Sequence, residues 1–261
     1  MARTKNNIFN LSGSLGGITF TRDEFGPIVK KKTEGPYNLS QGTIESSVEF
    51  GGASMVAKVF RHTLNTKKLG LEDRYFSGRL SGKVRKVAAM GEGLRGKRKI
   101  DLRKNGEILT GFEFIRQRPL AASIGSMMNS ISLNKTRNKV FWCTPRLNIK
   151  KQITAPKTAT HLRFILCLVS VSNYHFCEQQ SKYAPLTPEH KGFGSLIKTE
   201  SIILDQIYIE PVSLKLELPT NAKIQEEVGV ICSVGVEFLT NENGEFVVLE
   251  GTNSMKIIGV Y

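Results

Sequence analysis

The chain has 261 residues, 40% of them hydrophobic and 23% charged. That balance excludes an intrinsically disordered polymer and supplies a sizeable core without disulfides. The net charge is +14 and unevenly placed: residues 1–150 hold 28 Lys or Arg against 11 Asp or Glu (+17), and residues 151–261 hold 9 against 12 (−3). No apolar run reaches about 18 residues, which argues against a membrane-spanning helix, and the start Met1-Ala2-Arg3-Thr4-Lys5 leads into no apolar stretch of a secretory signal.

In chain order, residues 8–34 read as an extended arm or β-hairpin. Ile18-Thr19-Phe20-Thr21 alternates as a strand does, Asp23-Glu24-Phe25-Gly26-Pro27 is turn chemistry, and Ile28-Val29-Lys30-Lys31-Lys32 returns. Gly35-Pro36 closes that unit. A helix is expected over 43–65, with Thr43 as its N-cap. Val48, Met55, Val59 and Phe60 lie near one face, and Gly51-Gly52 is a point where it would kink or split. A second helix is expected over 72–90. There Phe76, Leu80, Val84 and Val87 form one apolar stripe edged by Arg79, Lys83 and Lys86, and Gly78 and Gly82 invite a close neighbour.

The most basic segment follows. Residues 91–99 carry Arg95, Lys97, Arg98 and Lys99, and Arg103 and Lys104 come next. Gly91-x-Gly93-x-x-Gly96 has the letters of a dinucleotide loop, but that loop needs a strand before it, a helix after it and an acidic residue about 20 positions on. A flexible basic loop is the better reading, its glycines letting backbone N–H groups approach phosphate oxygens. Asn105-Gly106 is a turn signal and Phe112-Glu113-Phe114-Ile115 a short strand.

From Val140 onward the pattern is β-rich. Strands are expected at Phe141-Trp142, 161–174, 202–209, 212–218, 228–238, 246–249 and 255–261, with a hairpin at Asn243-Gly244. The nearly continuous apolar runs at 164–169 and 228–231 fit central strands covered on both faces, by the preceding helices or by a neighbouring subunit.

Enzyme signatures are missing from the sequence: no Gly-x-Ser-x-Gly elbow, no phosphate-binding Gly-x-x-x-x-Gly-Lys loop and no paired carboxylates in a polar setting. Cys143, Cys167, Cys177 and Cys232 lack Cys-x-x-Cys spacing and read as free thiols of a reducing compartment, with no metal or cofactor implied. Of the aromatics interleaved with positive charge (Phe9, Phe20, Phe25, Tyr37, Tyr75, Phe112, Phe114), most read as core.

Leu11-Ser12-Gly13-Ser14-Leu15-Gly16-Gly17-Ile18-Thr19-Phe20, Gly111-Phe112-Glu113-Phe114, Pro156-x-x-Ala159-Thr160-His161 and the β-rich end together resemble a group of Bacteroidota proteins forming a domain of unknown function. The resemblance implies a bacterial or phage origin and an Ig-like C-terminal sandwich. It carries over no active-site residue.

The expected fold is α+β. A basic arm or hairpin (1–41) and a helical and loop region (42–139) pack on an antiparallel β-sandwich (140–261), Ig-like or jelly-roll-like. The expected function is a non-enzymatic, homo-oligomeric structural subunit of a nucleoprotein assembly, coat- or filament-like, cytoplasmic or virion-associated and without a membrane. Its phosphate contacts would be Lys30, Lys31, Lys32, Arg79, Lys83, Arg85, Lys86, Arg95, Lys97, Arg98, Lys99, Arg103 and Lys104. The alternative is a β-sandwich interaction module that binds an acidic protein or glycan.

Overall fold

A computed structural model describes residues 2–3, 12–23, 26–32, 38–125 and 130–261. The expectations for Glu24-Phe25, Gly35-Pro36, Phe9 and Tyr37 fall outside the described residues. The chain divides into two compact units after Gln41.

The first unit is a small antiparallel sheet of β1 (Ala2–Arg3), β2 (Gly13–Leu15), β3 (Ile18–Asp23) and β4 (Gly26–Lys31), in the order β1-β4-β3-β2. β3 and β4 pair from Ile18↔Lys31 to Asp23↔Gly26.

The second unit opens with two helices. α1 (Gln41–Leu64) runs unbroken through Gly51-Gly52 and begins ahead of Thr43. Its buried face is Glu49, Gly52, Ala53, Val56, Ala57, Phe60 and Leu64, whereas Met55 is 40% exposed. Of the expected face, Phe60 is buried and Val48 and Val59 pack partly buried against the same core, so Met55 alone departs from it, while a carboxylate and a glycine take core positions beside them. Tyr183 explains the glycine: a Cβ at Gly52 would lie 2.5 Å from that ring. α2 (Phe76–Ala89) buries Phe76, Leu80, Val84 and Val87 to 1% exposure or less. No neighbour packs closely on Gly78 or Gly82, since a Cβ at either would meet nothing within 4 Å.

Asn105-Gly106 is helical rather than a hairpin turn. α3 (Leu102–Asn105) is capped by the Asp101 side chain and runs into a 3₁₀ turn at Gly106–Leu109. α4 (Leu120–Ile124), β5 (Ser130–Leu133), β6 (Lys139–Cys143), β7 (Leu147–Asn148) and α5 (Ile149–Gln152) follow. Next come β8 (His161–Ser172), β9 (Tyr174–Cys177), β10 (Lys182–Pro185) and β11 (Phe193–Lys198). The expected strand over 202–209 is two short ones, β12 (Ile202–Ile203) and β13 (Tyr208–Ile209). β14 (Ser213–Glu217), β15 (Val228–Glu242), β16 (Glu245–Val248) and β17 (Ser254–Val260) complete the chain.

β8 and β15 pair over twelve residues at the centre of a large antiparallel sheet, flanked by β11 and β12 beside β8 and by β16 and β17 beside β15. Asn243 and Gly244 take φ of 56° and 92° in the β15–β16 turn, the left-handed backbone that a two-residue hairpin needs. The segment 111–114 lies along β17, with Gly111 N–H donating to Ile257 O and Phe114 N–H to Met255 O.

Strand alternation divides the core between the two sheet faces. Ile165, Cys167, Val169 and Val171 join the helical residues Phe60, Phe76, Leu80 and Val84 in one cluster. Leu162, Phe164, Leu166 and Leu168 join Trp142 of β6, Leu216 of β14 and Ile124 of α4 in the other. α1 and α2 thus cover one face of the large sheet. The three-stranded sheet β14-β6-β5 and its neighbours cover the second. That is why β8 carries an unbroken apolar run.

Candidate nucleic-acid interface

α2 has two working faces. Opposite its buried stripe, Gly82, Arg85, Lys86 and Ala89 follow the i, i+3, i+4, i+7 spacing of one helical face. They line one wall of a cleft of about 440 Å³. Glu49 and Phe50 from α1 and Arg95 and Arg98 from the following loop line the rest. The lining holds four cations and one carboxylate, so the cleft is net positive.

Contacts with α1 fix the loop. The buried Glu49 carboxylate accepts the Gly96 N–H at 2.9 Å and lies 3.6 Å from the Arg98 guanidinium. Gly96 takes a φ of 89°, a left-handed backbone that favours glycine, and a Cβ there would press on Glu45. The Tyr183 hydroxyl donates to Arg98 O at 2.8 Å while its ring covers Gly52. Burial pushes the Tyr183 phenol up to about 12, and the nearby Glu49 charge acts in the same direction, so the hydroxyl keeps its proton and stays a donor. Arg95 donates to Gly42 O at 3.2 Å and to Ser46 Oγ at 3.0 Å, and its guanidinium lies 3.5 Å from Glu45.

These contacts correct the expectation of a flexible loop whose glycine N–H groups await phosphate. The Gly96 N–H is already used by Glu49. Gly91 packs on Lys99 O, and a Cβ at Gly93 would lie 3.2 Å from Lys97 O, so the loop folds onto itself.

The thirteen expected phosphate contacts separate into three groups. Arg85, Lys86, Arg95 and Arg98 come together in the cleft, and Arg85 and Lys86 are exposed with no carboxylate partner among the described residues. Arg95 and Arg98 are paired with Glu45 and Glu49, and six others engage the chain outside the cleft. Arg79 donates to the carbonyls of Glu113 and Phe114 and to Asp73, each at 2.8 Å, with its guanidinium 4.9 Å from the Phe112 ring centre. Lys83 reaches Ile108 O at 3.3 Å. Lys97 pairs with Glu178 at 2.6 Å, Lys99 with Asp101 at 3.1 Å, Lys104 with Glu92 at 2.8 Å, and Arg103 with Glu226. Lys30, Lys31 and Lys32 are exposed on the first unit.

Exposed ion pairs are worth about 0–1 kcal/mol, so phosphate competes for Lys97, Arg103 and Lys104 at little cost. Each of them nevertheless brings a carboxylate, which cancels its pull on a polyanion. Glu49 and Phe50 are the cleft residues that sequence reasoning missed. The available signal was Glu49 standing four and seven residues before Ala53 and Val56, on the buried side of α1. Among the described residues no three His, Cys, Asp or Glu side chains gather as a metal site would require. No described helix is long and apolar enough to cross a membrane. The chain matches no protein-family model and no curated protein.

Proposed function

We propose that the chain is a non-enzymatic structural subunit of a nucleoprotein assembly, coat- or filament-like, that grips nucleic-acid backbone in the cleft between α1, α2 and the 95–98 loop. One observation carries this reading: Arg85 and Lys86, free of carboxylates among the described residues, face the same hollow as Arg95 and Arg98. Such a cluster attracts phosphate oxygens and releases the polymer's counterions. In this reading the large sheet and β14-β6-β5 form the Ig-like or jelly-roll-like building block of a homo-oligomer. The first unit then acts as a basic arm through Lys30, Lys31 and Lys32. The bacterial or phage origin implied by the resemblance, and a cytoplasmic or virion location, belong to the same proposal.

The second reading, a module for an acidic protein or glycan, draws on the eight cations already engaged within the chain, Arg95 and Arg98 of the cleft among them. Salt titration separates the two readings. If phosphate takes all four cleft cations, displacing Glu45 from Arg95 and Glu49 from Arg98, log K falls against log salt with a slope of about −3.6 on duplex and about −2.8 on a single strand, and with Arg85 and Lys86 alone with about half of that. The double variant Arg85→Glu, Lys86→Glu should flatten the slope by at least about half. Binding that is insensitive to salt, or unchanged in the double variant, favours the second reading. So does a purified protein without nuclease-sensitive absorbance at 260 nm.

A further inference from the structure

Resting on the reading of the cleft as a nucleic-acid site, we propose that it takes an unpaired nucleotide of a single strand, the base stacking on Phe50 and the flanking phosphates meeting Arg85, Lys86, Arg95 and Arg98. Two features of the cleft point to a single strand. The first is its concavity. A hollow of about 440 Å³ is the size of a small-ligand pocket. A duplex offers a convex ridge of phosphates with its bases stacked inward, so it fills no such hollow.

The second feature is Phe50. The residue is 45% exposed and belongs to the cleft wall. An aromatic face in a cationic groove is the combination that single-strand binders use, because every unpaired base has a π-face to offer. The residues around it keep the hollow open. Gly82 and Ala89 on the facing helix are small, and a Cβ at Gly82 would meet nothing within 4 Å. The Glu49 contacts with Gly96 N–H and Arg98 hold the basic loop at the site, so the cations are positioned before the strand arrives.

Gly82 also supplies a test that leaves the fold alone. Gly82→Leu puts a side chain on the cleft wall at a position whose Cβ would meet nothing within 4 Å. Gly78→Leu, at an equally open position on the same helix but outside the lining, controls for any effect on the helix. Phe50→Trp provides an optical reporter, since the chain's one natural tryptophan, Trp142, is buried at 1% exposure and gives a constant background. The probes are a fluorescent oligothymidylate of about 20 nucleotides, a duplex of equal length, and thymidine monophosphate as competitor, all at one salt concentration.

The expected result is tighter binding of the single strand than of the duplex, with quenching of the Phe50→Trp emission on binding. Phe50→Ala should weaken single-strand binding by roughly five- to 150-fold, the range of one base–aromatic stack, while leaving duplex binding unchanged. Gly82→Leu should weaken it by a similar factor and Gly78→Leu should leave it intact. Monophosphate should displace the strand only in large excess. Equal or tighter duplex binding, or binding without quenching, overturns the stacking proposal and leaves backbone binding standing. Displacement by monophosphate at concentrations matching the strand overturns the strand in favour of a free nucleotide. If the unaltered protein binds neither polymer, the cleft's assignment to nucleic acid falls as well.

Discussion

A methyl group added at Gly52 would lie 2.5 Å from the Tyr183 ring carbons, whereas one added at Gly82 would meet nothing within 4 Å. Both residues sit inside helices, so both substitutions gain about 0.8–1.0 kcal/mol of helix propensity. At Gly82 nothing opposes that gain, and Gly82→Ala should stabilise the fold by about 0.5–1 kcal/mol. At Gly52 the ring must move, and overpacking of this kind costs about 1–3 kcal/mol. The ring cannot move freely because its hydroxyl is tied to Arg98 O. Gly52→Ala should therefore lower stability, by up to about 2 kcal/mol net. Urea unfolding midpoints of the two variants check the opposite signs; a shift in the same direction for both would refute the packing account. Glu49 belongs to the same set of contacts. A carboxylate on a buried helix face looks like an error of pattern until its partner, the Gly96 N–H some 47 residues away, is known. No local window of sequence contains that information.

At the level of elements, α3 stands or falls with its cap. The Asp101 carboxylate accepts the Lys104 N–H at 3.0 Å and the Asn173 Nδ2 at 2.9 Å, and Lys99 Nζ lies 3.1 Å away. Burial alone would push this carboxyl up, but the Lys104 N–H bond and the Lys99 contact together outweigh it and hold the group below its usual range. A depressed carboxyl stabilises the fold above its unfolded value, near about 3.9, and that contribution is lost as pH falls through the folded value. Asp101→Ala should cost about 0.5–2 kcal/mol at neutral pH. The stability gap between the native chain and Asp101→Asn should narrow in chemical unfolding curves taken below about pH 4. A gap constant down to pH 2 would show that the charge plays no part. α2 was legible because its stripe of Phe76, Leu80, Val84 and Val87 repeats at the helical period, and β8 because an apolar run that long requires cover on both faces. β10 and β11 were not legible. Lys182–Pro185 and Phe193–Lys198 have no strong alternation and are drawn into strands by β9 and β8. The ion pairs of the basic loop were hidden for a similar reason, since Glu178 lies 81 residues beyond Lys97.

For the molecule as a whole, the large sheet is the link between two cores. Phe164 points into the cluster that holds Trp142, its ring 5.6 Å from the indole, while its neighbour Ile165 points into the cluster that holds the helical Phe60 and Phe76. A strand cannot leave one face without leaving the other, so the two clusters should be lost in one step even though different elements fill them. Two probes report on them separately. Ellipticity at 222 nm follows chiefly α1 and α2, and tryptophan fluorescence follows Trp142 alone, because it is the chain's one tryptophan. The two signals should trace a single urea transition with a common midpoint, the signature of two-state unfolding. Phe164→Ala, which removes a fully buried ring, should lower stability by about 3–5 kcal/mol. Although Phe164 belongs to the Trp142 cluster, the variant should move the helical signal as far as the fluorescence. A helical transition that precedes the loss of tryptophan fluorescence, or a Phe164→Ala shift confined to the fluorescence, would mean that the helices unfold independently of the sheet. The cleft built on those helices would then owe its shape to α1, α2 and the loop alone.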